Sequence, residues 1–154
     1  MDILNAFDNN VKFTKRSTPI PLGARMSYRI AQICLILRVC CNPRESCSMQ
    51  KLQTISNALF QQNEFESLVL YVKNPSYVLE FTPRIDPCVN TAVEFALKYG
   101  LCKEINNGRK YKLTTLGLKF ADSILKEDIM VKEKTLLNKL GTDFTEQLID
   151  NLLG

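Results

Sequence analysis

Apolar residues recur every three or four positions in several parts of the chain, which is the period of an amphipathic helix. The first such pattern spans residues 24–41. A second runs from Met49 to about residue 60, behind Ser48, which is a favoured N-cap residue. Pro43 lies between the two patterns and cannot continue a helix. The sequence therefore predicts two helices joined by a short connection.

The segment 61–81 gives a mixed signal. Residues 64–74 have the apolar spacing of a helix, although their valine content leaves a strand open. Residues 76–81 read SYVLEF and alternate in polarity, which predicts a short strand. We therefore expect this segment to carry one strand and one element of undecided type.

A strong helix start follows at Asp86 and Pro87. Aspartate is a favoured N-cap, and proline is favoured at the first helical position. The helix is expected to reach Tyr99, and Gly100 suits the left-handed conformation that ends many helices.

A β-hairpin is predicted from residues 101–105 and 110–113. Asn107 and Gly108 lie between these two segments and readily adopt the positive φ angles that a tight hairpin turn needs. This hairpin has the place of a wing behind the preceding helix.

The C-terminal part predicts three helices. Thr114 or Thr115 is expected to cap the first, the second spans about 128–140, and Asp143 with Glu146 forms a capping pattern for the last. The residues of the first of these helices expected to face the core are Leu116, Phe120, Ala121, Ile124 and Leu125.

The order helix, helix, strand, helix, hairpin is typical of winged-helix domains. We predict a mainly α protein with a small β-hairpin, that is, a winged helix-turn-helix with additional N- and C-terminal helices. The predicted organisation is an N-terminal arm over 1–23, a winged-helix domain over 24–126 and a C-terminal helical extension over 127–154.

Charge is distributed unevenly, although the net charge is only +4. Residues 11–44 contain no acid, whereas residues 121–154 contain seven acids and four lysines. The asymmetry suggests two faces with different partners. The alternative is that some arginines only solvate a helix surface. The basic residues of the first segment are Lys12, Lys15, Arg16, Arg25, Arg29, Arg38 and Arg44.

Winged-helix domains most often bind DNA, and basic residues of the arm and the wing could neutralise phosphates. The candidates for nucleic-acid contact are Lys15, Arg16, Arg109, Lys110 and Lys112. Reading of bases is disfavoured by the spacing of the helices. About 25 residues separate the helix that ends near residue 60 from the helix that starts at Pro87. In a helix-turn-helix protein that reads bases, a turn of three or four residues joins the two helices. The later helix also has a polar stripe without net charge, made of Asn90, Thr91, Glu94 and Lys98.

Three parts of the chain have more apolar residues than one small core should need: the N-terminal arm, the helix over 87–99 and the C-terminal helix. Exposed apolar patches of this kind usually mark protein interfaces. The alternative is that they pack on one another. The residues predicted to contact a partner protein are Leu4, Phe7, Phe95, Tyr99, Phe144, Leu148 and Leu152.

Catalysis is not expected. The chain has no histidine, and its six cysteines show no CxxC spacing, so we predict neither a metal nor another cofactor. No apolar run approaches the ~18 residues that a membrane helix needs, and the first residues do not resemble a signal peptide. We expect a cytoplasmic protein without a small-molecule substrate.

Three stretches together resemble a known family: ARMSYRIAQICLILRVCC, SMQKLQTISNAL and RIDPCVNTAVEFALKYGLCKEINNGRKYKLTTLG. They are similar to the middle component of ABC-three-component systems, the Lamassu-type bacterial anti-phage systems, over about residues 24–150. The resemblance implies a small non-catalytic adaptor that bridges an SMC-like or Rad50-like ATPase and an effector, often a nuclease. It carries no catalytic residues over to this chain.

The alternative function is a transcription regulator of the winged-helix class. Such a regulator would act as a homodimer on a palindromic operator.

Overall fold

The computed structural model describes residues 25–41, 46–79, 81–82, 84–105 and 107–153. Leu4, Phe7, Lys15 and Arg16 of the predicted arm lie outside the described residues. The helices within these ranges are α1 (Met26–Val39), α2 (Met49–Leu59), α3 (Gln62–Lys73), α4 (Pro87–Lys98), α5 (Thr115–Lys126), α6 (Val131–Leu140) and α7 (Glu146–Leu153). The strands are β1 (Cys47–Ser48), β2 (Cys102–Ile105) and β3 (Lys110–Leu113).

Helix α1 lies at the centre of the fold. Every residue from Arg29 to Leu37 is buried, and α1 contacts α2, α4, α5 and α6. A helix that is apolar nearly all round has no solvent face, and such a helix is stable only when it is surrounded. The elements around α1 accordingly share one apolar core.

Three of the predicted helix starts are confirmed by cap hydrogen bonds. The Ser48 hydroxyl accepts from the Lys51 backbone N–H at 3.2 Å, and the Asp86 carboxylate accepts from the Cys88 N–H at 2.9 Å. Thr114, one of the two threonines considered, accepts from the Gly117 N–H at 3.1 Å. Each cap satisfies a backbone donor that the helix cannot bond internally.

Segment 61–81 differs from the expectation. Of the undecided residues, 64–73 are helical and belong to α3, which ends at Lys73. The predicted strand over 76–81 is wrong for its described residues, since the Ser76 and Tyr77 N–H groups turn back to Asn74, at 3.2 and 2.9 Å. Alternation alone does not make a strand when no neighbouring strand offers its backbone groups.

A third strand completes the sheet, in the order β1-β3-β2, and all neighbours are antiparallel. The third strand is β1, which has only two residues, with Cys47 opposite Tyr111 and Ser48 opposite Lys110. So short a strand leaves no periodic signal in the sequence. The predicted hairpin of β2 and β3 is confirmed, and Asn107 and Gly108 at its tip have φ angles of 60° and 79°.

The C-terminal helices share the core of the rest of the chain. Leu137, Phe144 and Ile149 are buried within the same apolar cluster as α1. The cap of α7 is Thr145, whose hydroxyl accepts from the Leu148 N–H at 3.3 Å, so the expected start at Asp143 is two residues early. The expectation that Leu116 faces the core is also wrong, because half of its surface is exposed.

Candidate nucleic-acid interface

The register of the hairpin gathers lysines on one face. Lys103 of β2 lies directly opposite Lys112 of β3, and the next pair toward the tip on the same face is Ile105 with Lys110. The alternate pairs face inward, since Cys102, Leu113 and Tyr111 are buried. We call the side that carries Lys103, Lys110 and Lys112 the outer face of the hairpin.

Two like charges directly opposite each other in adjacent strands destabilise a sheet. Arg109, which is exposed, adds a fourth basic residue at the tip. The ion pairs found among the described residues are Arg29–Asp86 and Arg38–Asp122, and neither involves the hairpin. The outer face therefore has basic groups that no acid within the described part neutralises by direct pairing.

One acid of the hairpin, Glu104, belongs to the alternate pairs, and its side chain is exposed. Burial raises the pKa of Tyr111, and the nearby Glu104, Cys102 and Glu94 raise that pKa further. Glu104 is directly opposite Tyr111, and its carboxylate lies beside Gly108. An exposed carboxylate therefore also lies near the tip of the hairpin, although no ion pair within the described residues joins it to Arg109 or to the lysines.

The exposed side of α4 offers little for base reading. Val89, Ala92, Val93 and Ala96 are buried. Of the polar stripe, the Asn90 side-chain oxygen accepts from the Gln53 Nε2 at 2.8 Å.

The other polar residues of the stripe also offer little for reading bases. The Thr91 hydroxyl donates to the Pro87 carbonyl at 3.1 Å, so it is also engaged within the chain. Glu94 and Lys98 are exposed and of opposite charge. On this surface, two polar side chains are thus engaged within the chain, and the exposed charges cancel.

The described residues of the basic segment 11–44 contribute less than expected. Arg29 is buried and pairs with Asp86, and Arg38 donates to Asp122 at 3.0 Å. Their charges are thereby neutralised within the chain. These two arginines therefore add no unpaired positive charge to a basic face.

The predicted partner-contact residues differ in exposure. Phe144 is fully buried, so its side chain belongs to the core rather than to an accessible surface. Phe95 and Tyr99 are half-buried and stack on each other, with ring centroids 6.0 Å apart. Leu148 and Leu152 are also half-buried against the core.

Sequence reasoning missed Lys103 as a member of the basic face, although the signal was present. A two-residue turn at Asn107-Gly108 fixes the pairing of the strands, and that pairing places Lys103 opposite Lys112. The buried network around Arg29 was also missed. Its guanidinium contacts Asp86, lies 3.5 Å from the Ser56 hydroxyl and stacks over the Phe60 ring at 4.7 Å.

The six cysteines do not form a reactive site in the structure. Five are buried, and Cys88 alone is exposed. Burial raises the pKa of the Cys40 and Cys102 thiols to about 12, so these thiols stay protonated at neutral pH. Among the described residues, no three His, Cys, Asp or Glu side chains lie close enough together to hold a metal ion.

In the part of the chain that the structure describes, no helix combines the length and the apolarity needed to cross a bilayer.

Comparison with family models, with curated proteins and with solved structures finds no match in any of the three.

Proposed function

We propose that the chain is a non-catalytic binding subunit whose hairpin contacts the phosphate backbone of nucleic acid. The observation that carries the proposal is the pairing of Lys103 with Lys112 on the outer face, where Lys110 and Arg109 extend the charge to the tip. A repulsive pair of this kind is stabilised when phosphates lie between or beside the two ammonium groups.

The order of elements supports assignment to the winged-helix class. Helix α1, strand β1, helix α2, helix α4 and the hairpin follow one another in the order of such domains, and the sheet order β1-β3-β2 fits as well. Helix α3 is an insertion between the two helices of the expected helix-turn-helix. In this assignment the hairpin is the wing.

Contact with the backbone is favoured over reading of bases. Phosphate contacts give affinity without sequence information, whereas base contacts need donors and acceptors directed at base edges. On α4 the Asn90 amide is already bonded to Gln53, and no arginine is present to bind guanine. We therefore propose binding with little sequence preference.

Salt dependence tests this proposal. Four basic groups that each neutralise one phosphate give a slope of log affinity against log salt of about −3 to −4 on duplex DNA. The measurement is fluorescence anisotropy with two labelled duplexes of unrelated sequence. Similar affinities and a slope in this range support the proposal, and either no binding or a strong preference for one duplex contradicts it.

A second proposal concerns the assembly. We propose that the chain is the adaptor of an anti-phage defence complex, between an SMC-like ATPase and an effector. The family resemblance supports it, and so does a pair of exposed apolar side chains, Phe60 at 46% and Ile85 at 79% exposure. The Asn57 side chain bonds the Arg84 carbonyl, which brings the end of α2 beside the segment that carries Ile85.

Co-purification from the native operon tests the adaptor proposal. The tagged wild type should bring down an ATPase and an effector, whereas Phe60→Ser with Ile85→Ser should recover less of one of them. Leu70→Ser with Val131→Ser is the matched control, because both residues are about half exposed and lie on other helices. A chain that emerges alone contradicts the adaptor proposal.

The regulator alternative makes a different prediction. A homodimeric regulator would enrich a palindromic motif from random duplexes. A selection without any enriched motif removes that alternative and leaves the backbone-binding proposal intact.

A further inference from the structure

Helix α7 begins beside the basic tip of the hairpin. The Glu146 carboxylate accepts a hydrogen bond from the Ser48 backbone N–H at 3.0 Å, and Ser48 lies directly opposite Lys110 in the sheet. The helix is held in this place from the other side, where Ile149 is buried and the Tyr71 hydroxyl donates to the Leu148 carbonyl at 2.8 Å. Its first turn is therefore fixed near the outer face.

Two acids of α7 face the two bases of the tip across an open cleft. Glu146 and Asp150 are four residues apart, which places them on one side of the helix. They line a cleft of about 830 Å³ together with Arg109 and Lys110. The other lining residues are Ser48, Met49, Gln50 and Gly108.

The acids and the bases do not close on each other. Within the described part of the chain, neither Glu146 nor Asp150 forms an ion pair with Arg109 or Lys110. All four charged residues line the same cleft, and charges separated by less than the Debye length of ~8–10 Å are only partly screened by salt. The carboxylates therefore weaken the positive potential at the tip, where a phosphate would approach.

We infer that α7 is a built-in competitor for the phosphate backbone and lowers the affinity of the hairpin for nucleic acid. Glu146 and Asp150 are the acidic groups that compete, and displacement or neutralisation of these acids would strengthen binding. This inference rests on the proposed binding of nucleic acid by the hairpin.

The test is a pair of isosteric substitutions in the full chain. Glu146→Gln with Asp150→Asn removes both charges but leaves an oxygen on residue 146 that can still accept from Ser48. Glu127→Gln with Asp128→Asn is the matched control, because it changes the net charge equally at an exposed turn between α5 and α6. Affinity is measured by anisotropy with a labelled random-sequence duplex at one fixed salt concentration.

The expected result is a gain of about three- to tenfold in affinity for the α7 variant, from the removal of two like-charge repulsions near phosphates. The control should gain less than half as much on a logarithmic scale. Adding Arg109→Ala and Lys110→Ala to the α7 variant should remove most of the gain. An equal gain in both variants, or no gain in the α7 variant, would overturn the inference.

Failure of the inference and failure of the proposed function give different results. If the wild type binds the duplex and Lys103 and Lys112 are needed, but the α7 variant gains nothing, the inference alone fails. If neither the wild type nor the α7 variant binds, both fail. If only the α7 variant binds, the competition is stronger than expected and the inference is supported.

Discussion

Arg29 of α1 donates to the carboxylate of Asp86, the residue that caps α4. Arg29 is almost fully buried, and burial lowers the pKa of its guanidinium, so removal of the acid would leave a buried charge without its partner. The Gln53 side chain completes the arrangement by accepting from the Asp86 N–H at 2.8 Å. These contacts attach the start of α4, the helix that precedes the hairpin, to the central helix α1.

The first prediction concerns this pair. Asp86→Ala should lower the free energy of unfolding by about 3 kcal/mol, because it leaves the buried arginine without its acid and removes the helix cap. The double variant with Arg29→Met should cost clearly less than the sum of the two single variants. Urea unfolding measures all three, and strict additivity would show that the two side chains do not depend on each other.

The second prediction concerns Gly117 in α5. A Cβ atom there would lie 1.8 Å from the Leu101 carbonyl oxygen, which is backbone and cannot move aside easily. Gly117→Ala should therefore lower the free energy of unfolding by about 3 kcal/mol, although alanine favours helices elsewhere.

Gly100→Ala is the comparison for that substitution. Gly100 has a φ of +74° and open space around it. The cost should be only the backbone strain of about 1–2 kcal/mol. A thermal or urea unfolding series that shows equal costs at both positions would contradict the close contact between α5 and Leu101.

The third prediction concerns Phe144, which the sequence suggested as a partner contact. Since it is fully buried, Phe144→Ala should lower the free energy of unfolding by about 3–5 kcal/mol. Phe60→Ala is the control, because Phe60 is 46% exposed and should lose its partial burial and its contact with the buried Arg29, about 2 kcal/mol. If the Phe144 variant is as stable as the wild type, the Phe144 side chain does not belong to the core.

These examples show what local sequence reveals and what it does not. The caps at Ser48 and Asp86 and the turn at Asn107-Gly108 depend on the chemistry of a few adjacent residues, and all were predicted. Whether an apolar residue such as Phe144 is buried depends on which helices pack over it. The spacing of apolar residues along one helix does not show which helices pack over it.

In the candidate site too, some features depend on adjacent residues and others depend on tertiary packing. The lysine pair of the hairpin could be derived from the turn, because the turn sets the register. The position of Glu146 beside Ser48 could not be derived, since the two residues are 98 positions apart. Only the packing of α7 on the rest of the core brings them together.

The fourth prediction concerns alkaline pH. An unfolded thiol ionises near pH ~8.5, whereas burial raises the pKa of Cys40 and Cys102 to about 12. As the pH rises, the unfolded state therefore loses its protons first. The stability contributed by these thiols is complete below the unfolded pKa and is lost as the pH rises toward the folded one.

The loss should be up to about 1.4 kcal/mol per pH unit for each buried thiol. Urea unfolding at about pH 7.5 and about pH 9.5 measures it. Cys40→Ala should reduce the dependence on pH, while Cys88→Ala, at the exposed cysteine, serves as the control. Equal pH dependence in the two variants would show that Cys40 does not contribute.

Binding of nucleic acid by the hairpin depends most directly on its lysines. The decisive measurement uses two double variants. The hairpin variant carries both Lys103→Glu and Lys112→Glu. The matched control carries both Lys132→Glu and Lys139→Glu, at lysines that are exposed on α6. We predict that the hairpin variant loses at least about tenfold in affinity for a random-sequence duplex and that its salt slope falls by about 2. The control should lose much less. An unchanged affinity in the hairpin variant, or an equal loss in both, would contradict the assignment of nucleic-acid binding to this face.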